Sequence, residues 1–288
     1  LLLGQIVDTN SAFIARKLAR EGINLYHTRS VGDNKKRLKK ALRRAKKEAD
    51  VILSTGGMGP TSDDITVETI GKVWNRDLTL NEKAMDHLKT YLNEIGAEMS
   101  PSNKKQARLP KGSKTIPNPR GTALGIILEG EEATIIAMPG VSEEMKPMVK
   151  DHVIQYLIDK LPEEERKTVI RSRRLRTCGI GESALQEKIA DFLNQKRPTV
   201  APLAKLGEVH LRITAKGTPE KTEKLISSTE SKLENRLGKL IYAKGEKTLQ
   251  SRVVEILNEK GFELSLAESS SGGIITQKIY GTEKGRDT

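Results

Sequence analysis

The sequence predicts an α/β protein: a first unit built on a mostly parallel sheet with helices on both faces, then a split βαβ unit, then the start of a third α/β unit. Three observations carry that prediction. Short β-rich apolar runs alternate with segments whose apolar residues recur at helical spacing. One such run, Val51-Ile52-Leu53-Ser54-Thr55, passes directly into the glycine-rich stretch Gly56-Gly57-Met58-Gly59-Pro60-Thr61-Ser62-Asp63-Asp64, and an amphipathic segment opens at Thr66. Further on, residues 168–243 read in the order β-α-β-β-α-β of a split βαβ fold.

Taken in order, Asn10 or Ser11 caps a helix that carries Phe13, Ile14 and Leu18 and stops at Gly22. A strand is expected over residues 23–31. Gly32-Asp33-Asn34 then turns the chain into a helix with Leu38, Leu42, Ala45 and Ala49 on one stripe and a dense run of Lys and Arg on the rest. After the strand at 51–55, helices are expected at 66–74 and 81–95, the second ended by Gly96. Residues 100–119, rich in Pro, Asn, Ser and Lys, read as a long irregular loop, and such loops inside compact domains tend to be functional. Strands follow at 122–128 and 133–138 around a turn at Gly130. The second ends in Pro139-Gly140, before a helix that starts near Ser142 with Glu143 and Glu144 in its first turn, as the helix dipole prefers. In sheets of this kind ligands sit at the carboxyl ends of strands. Asp33, the glycine loop and Pro139-Gly140 all follow strands, so one edge should hold all three.

The charged stretch 162–167 reads as a linker. Beyond it come a strand at 168–177, Gly179-Ile180-Gly181-Glu182-Ser183, a helix carrying Leu185, Ile189, Phe192 and Leu193, a strand pair at 198–203 and 208–215, a helix at 219–237 and a strand at 240–243. The third unit opens after Gly245 with a helix through Leu249, Val253, Val254 and Leu257, then a strand at 262–267. It runs into Glu268-Ser269-Ser270-Ser271-Gly272-Gly273 and a helix start at Ile274. The expected domains are residues 1–161, 167–245 and 246–288. The chain opens in apolar residues without Met and closes just after a new unit has begun, so both ends read as truncated.

Composition narrows the function classes. The chain has 288 residues, 36% hydrophobic and 31% charged, with no apolar run near the ~20 residues of a membrane span; a cytoplasmic protein is expected. The net charge of +12 raises the question of nucleic acid, but the basic run lies on a patterned helix and reads as a solvated face. Aromatic content of 3% leaves little to stack bases on. The lone Cys178 excludes an internal disulfide framework and a Cys-rich zinc site. His27, His87, His152 and His210 are too scattered for a metal cluster.

The glycine loop is the chemical centre. Glycines let backbone N–H groups approach an anion, and the following helix offers its positive end. Asp63 and Asp64 would repel a bare phosphate, so a divalent metal or a protonated partner is expected between them. The bland alternative is a structural turn. In the third unit, Ser269 at a strand-to-helix turn could be a nucleophile beside an oxyanion-binding backbone, or part of a turn that only caps a helix.

These motifs form an ordered set: Leu3-Gly4-Gln5-Ile6-Val7-Asp8-Thr9-Asn10, Val31-Gly32-Asp33-Asn34, the stretch from Gly56 to Asp64, Asn118-Pro119-Arg120-Gly121, Met138-Pro139-Gly140 with Glu144-Met145, Gly179-Ile180-Gly181-Glu182-Ser183, and Ala267-Glu268-Ser269. Over essentially the whole chain the set resembles the CinA family (competence/damage-inducible protein A). That resemblance implies a three-layer α/β/α molybdopterin-binding-like domain, a KH-like α+β connector not expected to bind RNA, and the N-terminal part of a deamidase domain. It implies a hydrolase of nucleotide salvage: metal-dependent ADP-ribose pyrophosphatase activity in the first domain, giving AMP and ribose 5-phosphate, and nicotinamide mononucleotide deamidase activity in the last.

Under that resemblance Gly56, Gly57 and Gly59, with Pro60 and Thr61, cradle a phosphate, and Pro139 and Gly140 line the opposite wall. Asp33, Asp63 and Asp64 hold a divalent cation, Mg²⁺, Mn²⁺ or Co²⁺, with K⁺ as a further candidate. Asp33 could instead cap the basic helix, and Asp63 could face solvent or cap the next helix; Asp64 has a counterpart in the related domains. A homo-oligomer is expected. Ser269 is the deamidase nucleophile, within Glu268-Ser269-Ser270-Ser271-Gly272-Gly273 where the family has Glu-Ser-Cys-Thr-Gly-Gly. The serine's activating base is expected beyond Thr288, so this chain alone should lack deamidase activity. A Gly-Thr-Glu motif on a preceding first strand is likewise expected before Leu1. The rival reading is a non-catalytic module that binds molybdopterin or a nucleotide.

Overall fold

Asp8, not Asn10 or Ser11, opens the first helix of the computed structural model, which describes residues 1, 2 and 4–282. Leu3 of the first motif lies outside the described residues. The Asp8 carboxylate accepts from the Ser11 amide (2.9 Å) and hydroxyl (2.6 Å), which satisfies a donor at the start of α1 (Thr9–Arg20). The chain divides into two units, Leu1–Arg166 and Lys167–Thr288.

In the first unit α1 is followed by α2 (Lys35–Glu48), β1 (Val51–Thr55), α3 (Thr66–Val73), β2 (Leu78–Leu80) and α4 (Glu82–Glu94). A 3₁₀ turn (Asn103–Ala107) leads to β3 (Arg108–Pro110), β4 (Lys114–Ile116), β5 (Gly125–Leu128) and β6 (Thr134–Met138). A continuous helical stretch closes the unit: α5 (Ser142–Met148), a π turn (Val149–Val153) and α6 (Ile154–Lys160). The main sheet has the order β1-β6-β5-β4, and β2 and β3 form a separate ribbon.

Only β1 and β6 pair in parallel, and the other two ladders are antiparallel, so the sheet is mixed where the sequence suggested a mostly parallel one. The reason is loop length. β5 and β6 are joined by residues 129–133, and a link that short permits only a hairpin, since parallel neighbours need a crossover of a dozen or more residues.

Alternation along β6 places the core on both faces. Ile135 and Ala137 pack with Leu42 of α2 and with Ile70, Val73 and Trp74 at α3. Ile136 and Met138 pack with Ile14 and Leu18 of α1 and with Met145 and Met148 of α5. The period of two therefore builds the three layers directly.

Two further expectations in this unit are corrected. Residues 23–31 form no strand; a strand exists through ladder bonds to a neighbour, none pairs with this segment among the described residues, and Tyr26 within it is 79% exposed. Residues 100–119 are not irregular, because β3 pairs with β2 and β4 with β5. Three-residue strands containing Pro and Lys carry almost no propensity signal, and their pairing is set by tertiary partners.

The second unit contains β7 (Val169–Cys178), α7 (Glu182–Lys188), α8 (Ala190–Leu193), β8 (Thr199–Lys205), β9 (Glu208–Gly217), α9 (Pro219–Leu237) and β10 (Ile241–Lys244). Its sheet, β10-β7-β9-β8, is antiparallel throughout. Leu175, Val209, Leu211 and Ile213 pack with Leu185 and Ile226 in a core of their own. α10 (Leu249–Lys260) and α11 (Ile274–Tyr280) follow. Residues 262–267, where the sequence predicts a strand, pair with no strand among the described residues, and Phe262 and Leu266 are exposed. Among the described residues no helix is long and apolar enough to cross a membrane.

Candidate functional site

Thr55 lies opposite Met138 in the parallel ladder, so the loops after β1 and β6 leave the sheet side by side. The Gly56 amide donates to the Met138 carbonyl at 2.9 Å. A Cβ on Gly140 would stand 3.1 Å from Gly56 Cα, so the two loops meet backbone against backbone. Asn10 ties this wall to α1: its amide nitrogen donates to the Gly140 carbonyl (2.8 Å) and its side-chain oxygen accepts from Ser142 Oγ (2.5 Å).

The glycine loop is closed by the first residue of α3. Thr66 Oγ1 donates to the Gly56 carbonyl (2.8 Å), and the Thr66 amide donates to the Gly57 carbonyl (3.0 Å). Gly57 has φ +67°, and a Cβ there would sit 2.2 Å from Thr66 Oγ1, so only glycine fits.

Asp64 folds back over the same loop. Its Oδ2 accepts from the Thr61 amide (3.0 Å) and hydroxyl (2.7 Å). Burial is the largest single influence on its acidity and pushes the pKa up. The Thr61 hydroxyl, the Gly59 and Thr61 amides and the Lys105 charge together outweigh it, and the carboxyl stays below the usual range.

Lys105 reaches the loop from the 3₁₀ turn. Its Nζ donates to the carbonyls of Asp64 (2.6 Å) and Thr61 (3.1 Å) and lies 3.6 Å from Glu68 Oε1. Glu68 is also 3.5 Å from Lys35. Next to Lys105, buried Gln106 donates to Thr122 Oγ1 (2.9 Å) and to the Met58 carbonyl (3.4 Å). Sequence reasoning marked 100–119 as a functional segment but singled out none of these side chains, because nothing local shows that Lys105 returns to a turn 41 residues earlier.

Gly57, Gly59 and Asp64 open onto a cleft of about 640 Å³ that runs along α3. Lys39, Lys72, Arg76, Lys105 and Arg108 line it, against the carboxylates of Asp64, Glu68 and Asp77. Gly56, Pro60, Thr61, Pro139 and Gly140 are outside the cleft wall. The glycine loop thus separates two surfaces, the cleft on one side and the 139–142 turn on the other.

The motif Asn118-Pro119-Arg120-Gly121 braces the second surface. Buried Asn118 donates to the Ala123 carbonyl (2.8 Å) and to Glu144 Oε2 (2.7 Å), while its oxygen accepts from the Arg120 amide (3.2 Å). The first turn of α5 is held in this way.

The expected metal trio does not assemble. Among the described residues no group of three or more His, Cys, Asp or Glu could hold a metal ion. Asp33 is exposed, one residue ahead of the actual cap of α2, Asn34, whose side chain accepts from the Lys36 and Arg37 amides. Asp63 is exposed, and among the described residues its carboxylate accepts only from the adjacent Ser62 hydroxyl (3.3 Å). Asp64 and Glu68 remain, both on the cleft. Mg²⁺ commonly binds one or two carboxylates together with substrate phosphates, so these two residues fit a cation that shares its coordination with an anionic ligand, and do not fit a cage of protein ligands alone.

Residues 1–159 match the family model described as "Probable molybdopterin binding domain", and residues 172–243 match "Damage-inducible protein CinA KH domain". The CinA-like protein of Dictyoglomus thermophilum is 43% identical over 281 residues, which cover 97% of this chain and 67% of the relative. The chain belongs to the CinA family. A second CinA-like protein, from Dictyoglomus turgidum, has the same identity and coverage. The crystal structure of the protein CinA from Thermoplasma acidophilum is 34% identical with a TM-score of 0.50, covering 54% of this chain and 91% of that one. This CinA chain spans about two thirds of the length of the curated relatives, 67% for these two. The glycine loop and cleft lie in the molybdopterin-binding-like part, and the β7–β10 sheet in the KH part.

Beyond the KH part, Ser269 of this CinA chain is exposed, and its hydroxyl has no partner among the described residues. The neighbouring Glu268 does the local work. Its carboxylate accepts from Ser271 Oγ (2.5 Å), the Ile275 amide (3.0 Å) and the Thr276 amide (2.7 Å) and hydroxyl (2.5 Å). The Ser271 and Thr276 bonds are the main reason its pKa is pushed down to about 2. The turn therefore caps α11 through Glu268.

Proposed function

We propose that the first unit binds ADP-ribose in the cleft at the glycine loop and hydrolyses its pyrophosphate to AMP and ribose 5-phosphate. One observation carries this reading: Gly57, Gly59 and an ionised Asp64 face a cleft of nucleotide size, about 640 Å³, in which cationic side chains outnumber carboxylates. The amides of the loop and the positive end of α3 suit a phosphate. Lys39, Lys72, Arg76 and Arg108 offset the charge of a dianionic ligand along the cleft. A divalent cation, Mg²⁺, Mn²⁺ or Co²⁺, when bound by Asp64 and Glu68, supplies charge neutralisation at the pyrophosphate and a more acidic water. Water adds across one P–O bond of the bridge, and each product leaves with one phosphate. The test is AMP release from ADP-ribose with each cation. Wild-type turnover that is lost in Asp64→Ala supports the reading, and turnover that survives the substitution overturns it.

A second reading has its own support. Asp64 Oδ2 is already engaged by Thr61, and among the described residues Asp64 and Glu68 belong to no group of three His, Cys, Asp or Glu that could hold a metal, although Asp77 also lines the cleft. A module that binds molybdopterin or a nucleotide without turnover needs no more than this. Tight pterin binding without AMP release selects it.

For the longer CinA protein we propose nicotinamide mononucleotide deamidase activity with Ser269 as nucleophile. The exposed, unpartnered hydroxyl is the supporting feature. Ammonia release by the longer protein, abolished by Ser269→Ala and absent from the 288-residue chain, is the expected result. A cytoplasmic homo-oligomer that binds neither membrane nor nucleic acid completes the proposal, and sedimentation with and without DNA checks it.

A further inference from the structure

We infer that Lys105 is the positioning residue of the cleft, a tethered cation that fixes the 61–64 turn and so aims the Asp64 carboxylate. Three oxygens converge on its ammonium: the Asp64 carbonyl at 2.6 Å, the Thr61 carbonyl at 3.1 Å and Glu68 Oε1 at 3.6 Å. Two of the three ammonium donors are engaged by the backbone carbonyls of one turn, and Glu68 adds charge attraction beyond hydrogen-bond distance. Both Lys105 hydrogen bonds go to the protein's own backbone, whereas Lys39, Lys72 and Arg76 line the same cleft with no ion-pair partner among the described residues. Its task is within the protein.

The turn is locked from both sides. From within, Asp64 Oδ2 takes both Thr61 bonds, and the Asp64 amide donates to the Thr61 carbonyl at 3.2 Å. From outside, Lys105 ties the two carbonyls of the same turn together. The Asp64 carboxylate lines the cleft from a turn whose backbone cannot rotate without breaking the Lys105 bonds.

The tether has a firm base. Lys105 lies between Asn103 and the buried pair Gln106 and Ala107; Asn103 Oδ1 accepts from the Ser100 amide and hydroxyl, and the Ala107 carbonyl accepts from the Asn81 amide at 2.8 Å. Ordering a lysine side chain costs rotamer entropy, which solvated surface lysines do not incur. Convergence on a single turn beside the cleft gives that ordering a purpose.

The test compares wild type, Lys105→Ala and Lys105→Arg in the 288-residue chain, each with ammonium chloride or matched choline chloride. Three readouts are followed: amide hydrogen exchange of residues 59–64, thermal unfolding, and kcat and KM for ADP-ribose with Mg²⁺. Only the kinetic readout rests on the ADP-ribose reading. Lys105→Ala is expected to speed exchange in 59–64 about tenfold with β1 unchanged, and to lower kcat about 100-fold at near-constant KM, as a misplaced group does. Free ammonium, filling the same three-oxygen seat, restores exchange protection and turnover, whereas Lys105→Arg, whose planar fork does not match that seat, falls between. A rise in KM with kcat preserved makes Lys105 a ligand-binding cation and overturns the inference. A lower unfolding temperature with exchange of 59–64 and kcat unchanged reduces it to a structural clasp, and failure of ammonium to restore protection also overturns it. If wild type does not turn over ADP-ribose, the proposed function falls, while exchange and ammonium rescue still decide the role of Lys105.

Discussion

Thr66 occupies the space that a side chain on Gly57 would need: an added Cβ would lie 2.2 Å from Thr66 Oγ1, the atom that closes the loop on the Gly56 carbonyl. Gly57→Ala combines a left-handed φ of +67° with that clash. The backbone term alone is about 1–2 kcal/mol, and displacing Thr66 adds to it. Thr66→Val keeps the shape and loses one buried hydrogen bond, at a cost of about 1 kcal/mol. Denaturant unfolding should rank wild type above Thr66→Val above Gly57→Ala, and ADP-ribose affinity should follow the same order.

The cationic side chains of the cleft make a different prediction. Lys72 and Arg76 line it and have no ion-pair partner among the described residues. Neutralising either should weaken an anionic ligand without touching the chemical step. Lys72→Gln and Arg76→Gln are expected to raise KM for ADP-ribose several-fold with kcat unchanged, and the double variant to flatten the dependence of KM on ionic strength. Unfolding temperatures should stay near wild type, since both side chains are exposed. A loss confined to kcat would contradict a binding role.

Asn118 links the second surface to the core. It is 1% exposed and makes three hydrogen bonds, to Ala123, Glu144 and Arg120. Asn118→Ala leaves the Ala123 carbonyl and the Glu144 carboxylate short of a donor, at about 2–3 kcal/mol. Hydrogen exchange should rise at the start of α5 and in 139–142 before it rises in β6. Asn118→Asp, which places a carboxylate against Glu144, should destabilise at least as much at neutral pH, and its deficit should narrow as the pH falls and either carboxylate takes up a proton.

How much of this was legible in the sequence follows from the range of the interaction concerned. Alternation in β6 and the stripes of α1 and α3 are written in single segments, so a sheet with helices on both faces could be read from period and element order. The glycine loop was equally plain, because positive φ selects its residues locally. Direction of pairing was not, since it depends on how β5 reaches β6. Residues 100–119 carry the least local signal, because the β2–β3 and β4–β5 ladders and the Lys105 contacts are all made with partners outside the segment. The carboxylates were partly legible: the sequence leaves Asp63 a solvent-facing alternative and gives Asp64 a counterpart in related domains, but that Thr61 and Lys105 hold Asp64 at the cleft depends on contacts that no single segment shows.

Acid should weaken the first unit through Glu129, at the turn between β5 and β6. Its carboxylate accepts from Tyr156 OH (2.7 Å) and pairs with Lys160 (3.0 Å) and Lys114 (3.5 Å). The Tyr156 and Lys160 hydrogen bonds are the main cause of a pKa pushed down to about 2 from 4.5. Because the folded value lies below the unfolded one, the contribution is fully present above pH 4.5 and is lost as the pH falls toward 2. The side chain is 41% exposed, so solvent screening keeps the contribution to about 1 kcal/mol or less. Glu129→Gln should therefore be slightly less stable than wild type at pH 7 and equally stable near pH 2, with a flatter slope of unfolding free energy against pH between the two. Chemical denaturation at several pH values measures that slope, and an unchanged slope would remove Glu129 from the account of acid sensitivity.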